Sequence, residues 1–331
     1  MSNEEPRITM EALTDELIEF YAVSSMDRGV AGRAAIEWAC AGDSAPFCIA
    51  RREDRIVALN AYMQARIKLG PRTGKAFQSI DSFVAEEMRG KGMFTQLVRA
   101  HAGHTVKDGA DLVWGFPNDN SAPAFFGKLG WVNHGQVPFM IKPLRAGYFL
   151  RKLKLFGDFP LSFKQDQDLQ SIDSFDDWAD ELWCNFSSQI GCSIVRDSSF
   201  LQHRLFNGPN AGSYRVVAET SADGGLVATR QAEKHGGHIA YLMEAMGSDC
   251  VKDMLNSELA RLRNRGVELV LAWCYPWSPN YRYLRDCGFM PLPERFRPTR
   301  IWFGGRASSD HGKFAEIKSN WYLSYLDSDT V

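Results

Sequence analysis

Apolar positions in the first part of the chain fall at helical spacing: Leu13, Leu17, Ile18 and Tyr21 predict an amphipathic helix, and a second is expected from Ala31 to Cys40. The alternating runs PFCIARRE and RIVALNAYMQARIK then predict strands, and AFQSIDSFV a longer one. Phe94, Leu97, Val98 and His101 recur at helical spacing until Asp108-Gly109, which predicts a helix of about four turns. DLVWGF, bounded by Pro117 and Asn118, reads as a buried strand, and the helix SAPAFFGKLG ends at Gly130, where a left-handed C-cap is expected. Strand, turn, long helix, strand and short helix make an α/β arrangement. Its turn, RGKGMF at residues 89–94, puts backbone amides at a helix N-terminus, where an anion binds.

From Leu144 to about Gln170 the pattern loses regularity, and LRAGYFLRKLKLFGDFPLSFKQDQDLQ reads as a linker. Its RKLKLF core has the composition of a membrane-surface helix, but it is short and mildly basic, so a packed connection is the reading taken. Beyond it the plan repeats. DLVWGFPNDNSAPAFFGKLGWV and ELVLAWCYPWSPNYRYLRDCGFM share strand, proline turn, aromatic helix and a closing Gly-aromatic pair. NSELARLRNRG matches the long helix, but its entry, AMGSDCVKDM, carries no Arg-x-x-Gly turn. One unit is therefore expected twice, with the anion turn in the first copy only: domain 1–145, linker 146–169, domain 170–331.

Length and composition agree with two domains: 331 residues, 45% of them hydrophobic. Net charge is −2, from 38 basic and 40 acidic residues, so no global field draws the chain to nucleic acid or an anionic membrane. Seven scattered cysteines without a CxxC pair suit neither a disulfide framework nor a zinc site, and no metal is expected. The acidic N-terminus lacks a signal-peptide pattern and no window resembles a membrane span, which predicts a soluble cytoplasmic protein.

SFVAEEM before RGKGMF, the helix after it and the closing FFGKLGW together resemble the GNAT superfamily of N-acetyltransferases, in a tandem two-domain form. Arg89, Gly90, Lys91, Gly92, Met93 and Phe94 fill the superfamily pattern Gln/Arg-x-x-Gly-x-Gly/Ala, with Phe94 where a small residue is usual. The resemblance implies two GNAT-like domains, each a mixed, mostly antiparallel sheet flanked by helices. It also implies coenzyme A as co-substrate. Successive N–H groups and the helix dipole favour the pyrophosphate, the missing Cβ atoms of Gly90 and Gly92 permit close approach, and Ser82, Phe83 and Val84 line the pantetheine arm as an added strand would. In the helix SAPAFFGKLGW the family's tyrosine acid is replaced by Phe126, and Asn118 and Asn120 flank the position of its usual asparagine; the resemblance implies that all three lie in the coenzyme-binding site.

For acyl transfer to an amine, a group near the thioester must accept a proton. Gln78, Ser79, Asp81 and Ser82 are the polar choices, and Asp81 is the carboxylate among them. It is read as base or ammonium anchor, with a half-buried Asp capping a turn as the equal alternative. A backbone N–H from a bulge near Phe83 is expected to polarise the thioester oxygen. His134 is a further candidate at the acceptor, whereas His101 and His104 read as packed or surface histidines. The segment VRDSSFLQHRLF, GFPNDNSAPAFFGKLGW and the closing WYLSYLDSD resemble tandem acyltransferases of bacterial surface-sugar clusters. That resemblance implies a nucleotide-linked amino sugar held by Arg196, Arg204, Tyr275 and Trp277, or else these residues pack in the core. The expected activity is acyl-CoA-dependent N-acylation of a small amine by a monomer or homodimer, with acetyl or a short hydroxyacyl group. Aminoacyl transfer to a cell-wall precursor and non-catalytic acyl-CoA sensing are the alternatives.

Overall fold

A computed structural model describes residues 5–24, 32–39, 47–161 and 169–328. In chain order the first elements are β1 (Arg7–Glu11), α1 (Asp15–Ser24), α2 (Gly32–Ala39), β2 (Phe47–Arg52), β3 (Arg55–Leu69), β4 (Arg72–Val84), α3 (Met93–Lys107), β5 (Leu112–Gly115), α4 (Ala122–Lys128) and β6 (Val132–Gln136). There follow β7 (Phe139–Pro143), α5 (Gly147–Lys152), α6 (Trp178–Ser187), β8 (Cys192–Ile194), α7 (Ser198–Leu205), β9 (Tyr214–Glu219), β10 (Gly225–Lys234) and β11 (Gly237–Gly247). The chain closes with α8 (Cys250–Asn264), β12 (Leu269–Trp273), α9 (Tyr281–Asp286), β13 (Met290–Pro291) and β14 (Trp302–Ala307). The helices and strands expected in the first half all form. Of the second expected helix, Ala31 and Cys40 lie outside the described residues.

Two compact units result, and neither is a continuous stretch of chain: Met1–Gln136 with Ile301–Lys318, and Val137–Arg300 with Ser319–Val331. In the first, strands run β1-β2-β3-β4-β5-β14-β6. In the second they run β13-β7-β12-β11-β10-β9. Each sheet contains one parallel pair, β4 with β5 and β11 with β12, among antiparallel neighbours. Each is also completed by a strand from the other half of the sequence. β14 pairs with both β5 and β6, and β7 pairs with both β12 and β13.

This exchange displaces the expected boundary at residue 145, because the chain passes to the second unit after Gln136. The segment 146–169 is not a linker where it is described; residues 162–168 lie outside the description. Arg145 Nε donates to Asp158 at 2.7 Å, the Gly147 amide to Asp158 Oδ1 at 3.0 Å, and Arg151 pairs with Glu268 at 2.6 Å, all within the second unit. Residues 139–143 and 302–307 form strands, and because pairing is non-local their own sequence carries no address for the sheet they join.

The first unit's sheet is covered on both faces. Leu17, Ile18, Tyr21 and Ile36 from α1 and α2 pack on Ile49, Leu59 and Ala61. Met93 and Leu97 of α3 pack on Cys48, Ala50 and Ala58 of the other face, where Phe94, Val98, Phe125 and Trp131 continue the core. In the second unit α8 lays Val251, Leu255, Leu259 and Leu262 on Val227, Leu242 and Val270.

A fragment ending at residue 145 lacks β14, leaving β5 and β6 without their shared neighbour. It is expected to show no cooperative thermal transition by far-ultraviolet circular dichroism, whereas the full chain melts cooperatively. A folded 1–145 fragment would show β14 to be dispensable.

Candidate active site

α3 begins at Gly92, a left-handed residue at φ 79° with no side-chain cap. Its first helical hydrogen bond runs from the Gln96 amide to the Gly92 carbonyl at 3.1 Å, so the amides of residues 93–95 precede the ladder. Gly90 is also left-handed, at φ 73°, and a Cβ at either glycine would meet no protein atom within 4 Å. Glycine is therefore required here by backbone conformation, and the turn leaves room beside its amides. Arg89 and Lys91 are exposed at the turn, and Arg89 Nε donates to the Val84 carbonyl at 3.1 Å. Met93 is buried, and the Phe94 ring packs edge-on against Phe125 at 5.4 Å. The unusual aromatic at the sixth motif position thus turns into the core and presents only its backbone to the turn.

The strand leading into this turn loses one neighbour partway along. β4 pairs in parallel with β5 from Ala76↔Leu112 to Ser79↔Gly115; residues 80–84 of β4 run on, paired to β3 alone. A fork opens at Gly115, where a Cβ would come within 2.9 Å of the Ser79 carbonyl oxygen. A bulge sits at its root, since Tyr62 faces Ser79 and Ala61 faces Asp81, leaving Ile80 as the extra residue. The bulge expected near Phe83 is thus three residues upstream. It resets the alternation of side chains, sending Asp81 and Phe83 to the α1 face and Ser82 to the α3 face.

On the α1 face the Tyr21 hydroxyl donates to the Asp81 carboxylate, and the Tyr21 ring meets Phe83 edge-on at 5.4 Å. On the α3 face Asn60 Nδ2 donates to Ser82 Oγ at 2.8 Å and to the Asp81 carbonyl at 3.3 Å. Asn60 Oδ1 lies 2.8 Å from His101 Nδ1, and since the amide oxygen only accepts, that nitrogen carries the proton. Tyr62 stacks on the His101 ring at 3.9 Å and 7°, and Asn60, Tyr62 and His101 are all buried. Burial pushes the Tyr62 phenol well above its ordinary value. Asp81 and Ser82, picked out from the sequence, therefore stand at the fork. Tyr21, Asn60 and His101, which hold them, were not foreseen: they reach the site across strands and helices, and no local pattern marks that.

Several expected site residues are placed elsewhere. His134 is buried, with Nε2 bonded to the Ala315 carbonyl at 2.9 Å and its ring 5.3 Å from Phe303, so it is a packed histidine rather than an acceptor-facing one. Asn118 closes the turn that precedes α4, its Oδ1 accepting from the amides of Asn120 and Ser121 at 3.0 and 3.1 Å. Asn120 is exposed. Phe126 packs over β14, within 2.5 Å of where a Gly304 Cβ would stand, and contributes bulk rather than chemistry.

Of the expected acceptor residues of the second unit, Arg196, Arg204 and Tyr275 are buried. Arg196 is fully buried, donating to Glu244 at 2.6 Å, to Asp327 at 2.7 Å, to Ser324 at 3.2 Å, to the Ile194 carbonyl at 2.8 Å and to Ser193. Arg204 is buried and donates to the carbonyls of Leu326 and Ser328. Tyr275 is buried under Trp277, with rings 4.5 Å apart, and Trp277 is the exposed member of the four.

The second unit repeats the fork and fills it. Parallel pairing of β11 with β12 ends at Leu242↔Ala272, and a bulge at Met243 puts Glu244 where Asp81 stands in the first. Arg196, Tyr322 and Ser324 converge on the Glu244 carboxylate, and Asn280 Nδ2 donates to the Ala245 carbonyl at 2.9 Å. No glycine turn precedes α8, whose N-terminal flank is Asp249. Among the described residues no cluster suited to a metal ion is found, and no helix is long and apolar enough to cross a membrane.

Replacing Arg196 by Met leaves Glu244 and Asp327 as buried carboxylates without their guanidinium, and is expected to cost about 3–5 kcal/mol in urea unfolding. A well-folded variant with altered acceptor affinity would instead restore Arg196 to a binding role. Burial lowers the pKa of His134 from its ordinary 6.5, outweighing the Ala315 hydrogen bond, with Lys318 adding to the effect. A depressed folded pKa means stability that is present above 6.5 and lost as pH falls below it. His134→Gln is expected to flatten that part of the stability–pH curve.

The model of the acetyltransferase (GNAT) domain family matches residues 11–133, the stretch that holds the turn and the fork. Two solved structures extend the likeness to nearly the whole chain. N-myristoyltransferase of Saccharomyces cerevisiae, with bound myristoyl-CoA, is 12% identical at a TM-score of 0.59, over 96% of this chain and 91% of that one. A GCN5-related N-acetyltransferase from Anabaena variabilis is 13% identical at a TM-score of 0.61, over 92% and 73%. No curated protein sequence matches. Residues 11–133 thus match an acetyltransferase domain of the GNAT type, in an α/β chain of two mixed sheets whose fold is similar to that of N-myristoyltransferase.

Proposed function

We propose that the chain is an acyl-CoA-dependent N-acyltransferase with its donor site in the first unit. One coincidence carries the reading: within the GNAT-matching segment, residues 80–84 of β4, past the end of its pairing with β5, lead into the glycine turn and the start of α3. The turn amides from Gly90 to Phe94 would take the pyrophosphate, with Arg89 and Lys91 beside them. The pantetheine arm would lie along Ser82, Phe83 and Val84 as a strand completing the fork.

On the acceptor side, Asp81 with Tyr21 would hold the incoming ammonium and take its proton. The neutral amine then attacks the thioester carbonyl carbon, the C–N bond forms, the C–S bond breaks and the thiolate leaves with the electron pair; the second proton, shed by the nitrogen as the amide forms, replaces the one that Ser82 Oγ gives to the sulfur, leaving a neutral amide and a thiol. Ser82 Oγ already accepts from Asn60, so its own hydrogen is directed elsewhere and is available to the departing sulfur. That role is open because Phe126 has no hydroxyl. His101, through Asn60, is a positioning residue for Ser82.

The acceptor is a small amine. A nucleotide-linked amino sugar fits this chemistry but would need cations other than Arg196 and Arg204, whose donors are engaged inside the second unit. The acyl group ranges from acetyl or a short hydroxyacyl to the longer chain that the yeast neighbour's bound myristoyl-CoA exemplifies.

Calorimetry with acetyl-CoA and longer acyl-CoAs tests the donor site. Gly92→Leu places a side chain at φ 79° beside the amides and is expected to weaken binding at least about ten-fold. Unchanged affinity would remove the phosphate cradle. Asp81→Asn is expected to keep acyl-CoA affinity and lower kcat/KM by about 10²–10⁴ in transfer to an amine pool. Binding without transfer by the unmodified protein would favour the sensing role.

A further inference from the structure

The second unit exposes an apolar, basic segment that the acyltransfer reading does not use. Within nine residues, Leu153, Leu155, Phe156, Phe159 and Leu161 are 69, 53, 101, 54 and 45% exposed. Five large apolar side chains so close together are more than the scattered exposure ordinary on a surface.

Their backbone is tied down. The Leu155 amide bonds the Leu150 carbonyl at 2.8 Å, Ala146 N the Phe159 carbonyl at 2.8 Å, and Leu161 N the Leu144 carbonyl at 2.9 Å. Asp158 anchors the middle through Arg145 and the Gly147 amide. Lys154 at φ 58° and Gly157 at φ 125° make the turn that carries Phe156 outward.

The surrounding charge is positive. Lys152 and Lys154 lie within the segment, and Lys234, at the tip of the β10–β11 hairpin, lies alongside, where Arg151 donates to the Gly236 carbonyl at 3.3 Å. The nearby carboxylates Asp158 and Glu268 are matched by Arg145 and Arg151, and Glu233 faces His238 at 4.0 Å. Among the described residues no carboxylate forms an ion pair with Lys152, Lys154 or Lys234.

We propose that residues 151–161, with the Lys234–His235 hairpin tip, dock the protein on an anionic lipid surface. Phe156, Leu153 and Leu155 enter the acyl boundary while the lysines reach the headgroup phosphates with their stems along the apolar layer. The chain's net charge of −2 gives no general attraction to such a surface, so the local patch must supply it.

Sedimentation of the full chain with vesicles of phosphatidylcholine mixed with phosphatidylglycerol, and with phosphatidylcholine alone, tests this. Binding to the mixed vesicles that weakens with salt is expected. Lys152→Gln with Lys154→Gln should weaken it roughly thirty-fold, and Leu153→Ser with Phe156→Ser should abolish it while circular dichroism and acyl-CoA affinity stay unchanged. In a Phe156→Trp variant, mixed vesicles should shift the emission to the blue. No sedimentation and no shift, or binding indifferent to these variants, overturns the proposal. So does a concentration-dependent dimer that Leu153→Ser with Phe156→Ser dissolves, because the patch would then belong to a second copy. Acyl-CoA binding is a separate readout, so this proposal and the donor-site assignment fail independently.

Discussion

Backbone amides and carbonyls in a sheet need partners, and in the first unit β5 supplies them to β4 only from Ala76 to Ser79. Past that point β4 keeps β3 on one side, and residues 80–84 lie beyond the end of β5 on the other. The bulge at Ile80 fixes what stands there, because one extra residue shifts the alternation and so decides which face Asp81 takes and which Ser82. Asp81 then meets Tyr21 from α1, and Ser82 meets Asn60 and His101 beneath α3. Five residues further on, the chain turns through two left-handed glycines into a helix whose first amides lie outside its ladder. Edge, polar groups and anion turn are consecutive parts of one strand and its exit.

The second unit shows the same constraint answered from within. Its bulge at Met243 and its fork after Leu242 reproduce the first, but the carboxylate that follows, Glu244, is gripped by Arg196, Tyr322 and Ser324. Asp327 neutralises the other side of the guanidinium, and Arg204 holds the carbonyls of Leu326 and Ser328. A buried charge network of this kind tolerates poorly the loss of one member, so the segment 322–328 is held in place by Arg196, Arg204 and Glu244. Under the proposed function the donor site belongs to the first unit. The carboxylate after the bulge is retained in both, with a different length of side chain and a different partner.

Strand, turn, helix, strand and helix in the first half follow from local physics: the spacing of Leu97, Val98 and His101 makes α3 amphipathic, and Gly90 and Gly92 at a helix start admit left-handed backbone that other residues resist. Those features lie within a few residues of one another, which is why RGKGMF and the repeat could be read from the sequence alone. Which sheet β7 and β14 join could not, since a strand's pattern records what it buries and not its neighbour. Nor could the fates of Arg196, His134 and Tyr275 be read. A lone arginine or histidine looks the same in a cleft as in a core, and only partners more than a hundred residues away, Asp327 for Arg196 and Ala315 for His134, decide between the two. The sequence determined the elements and the anion turn because their causes are local; the tertiary structure decided the strand exchange, the faces of the bulged strand and the burial of the second fork, because each depends on groups brought together by folding.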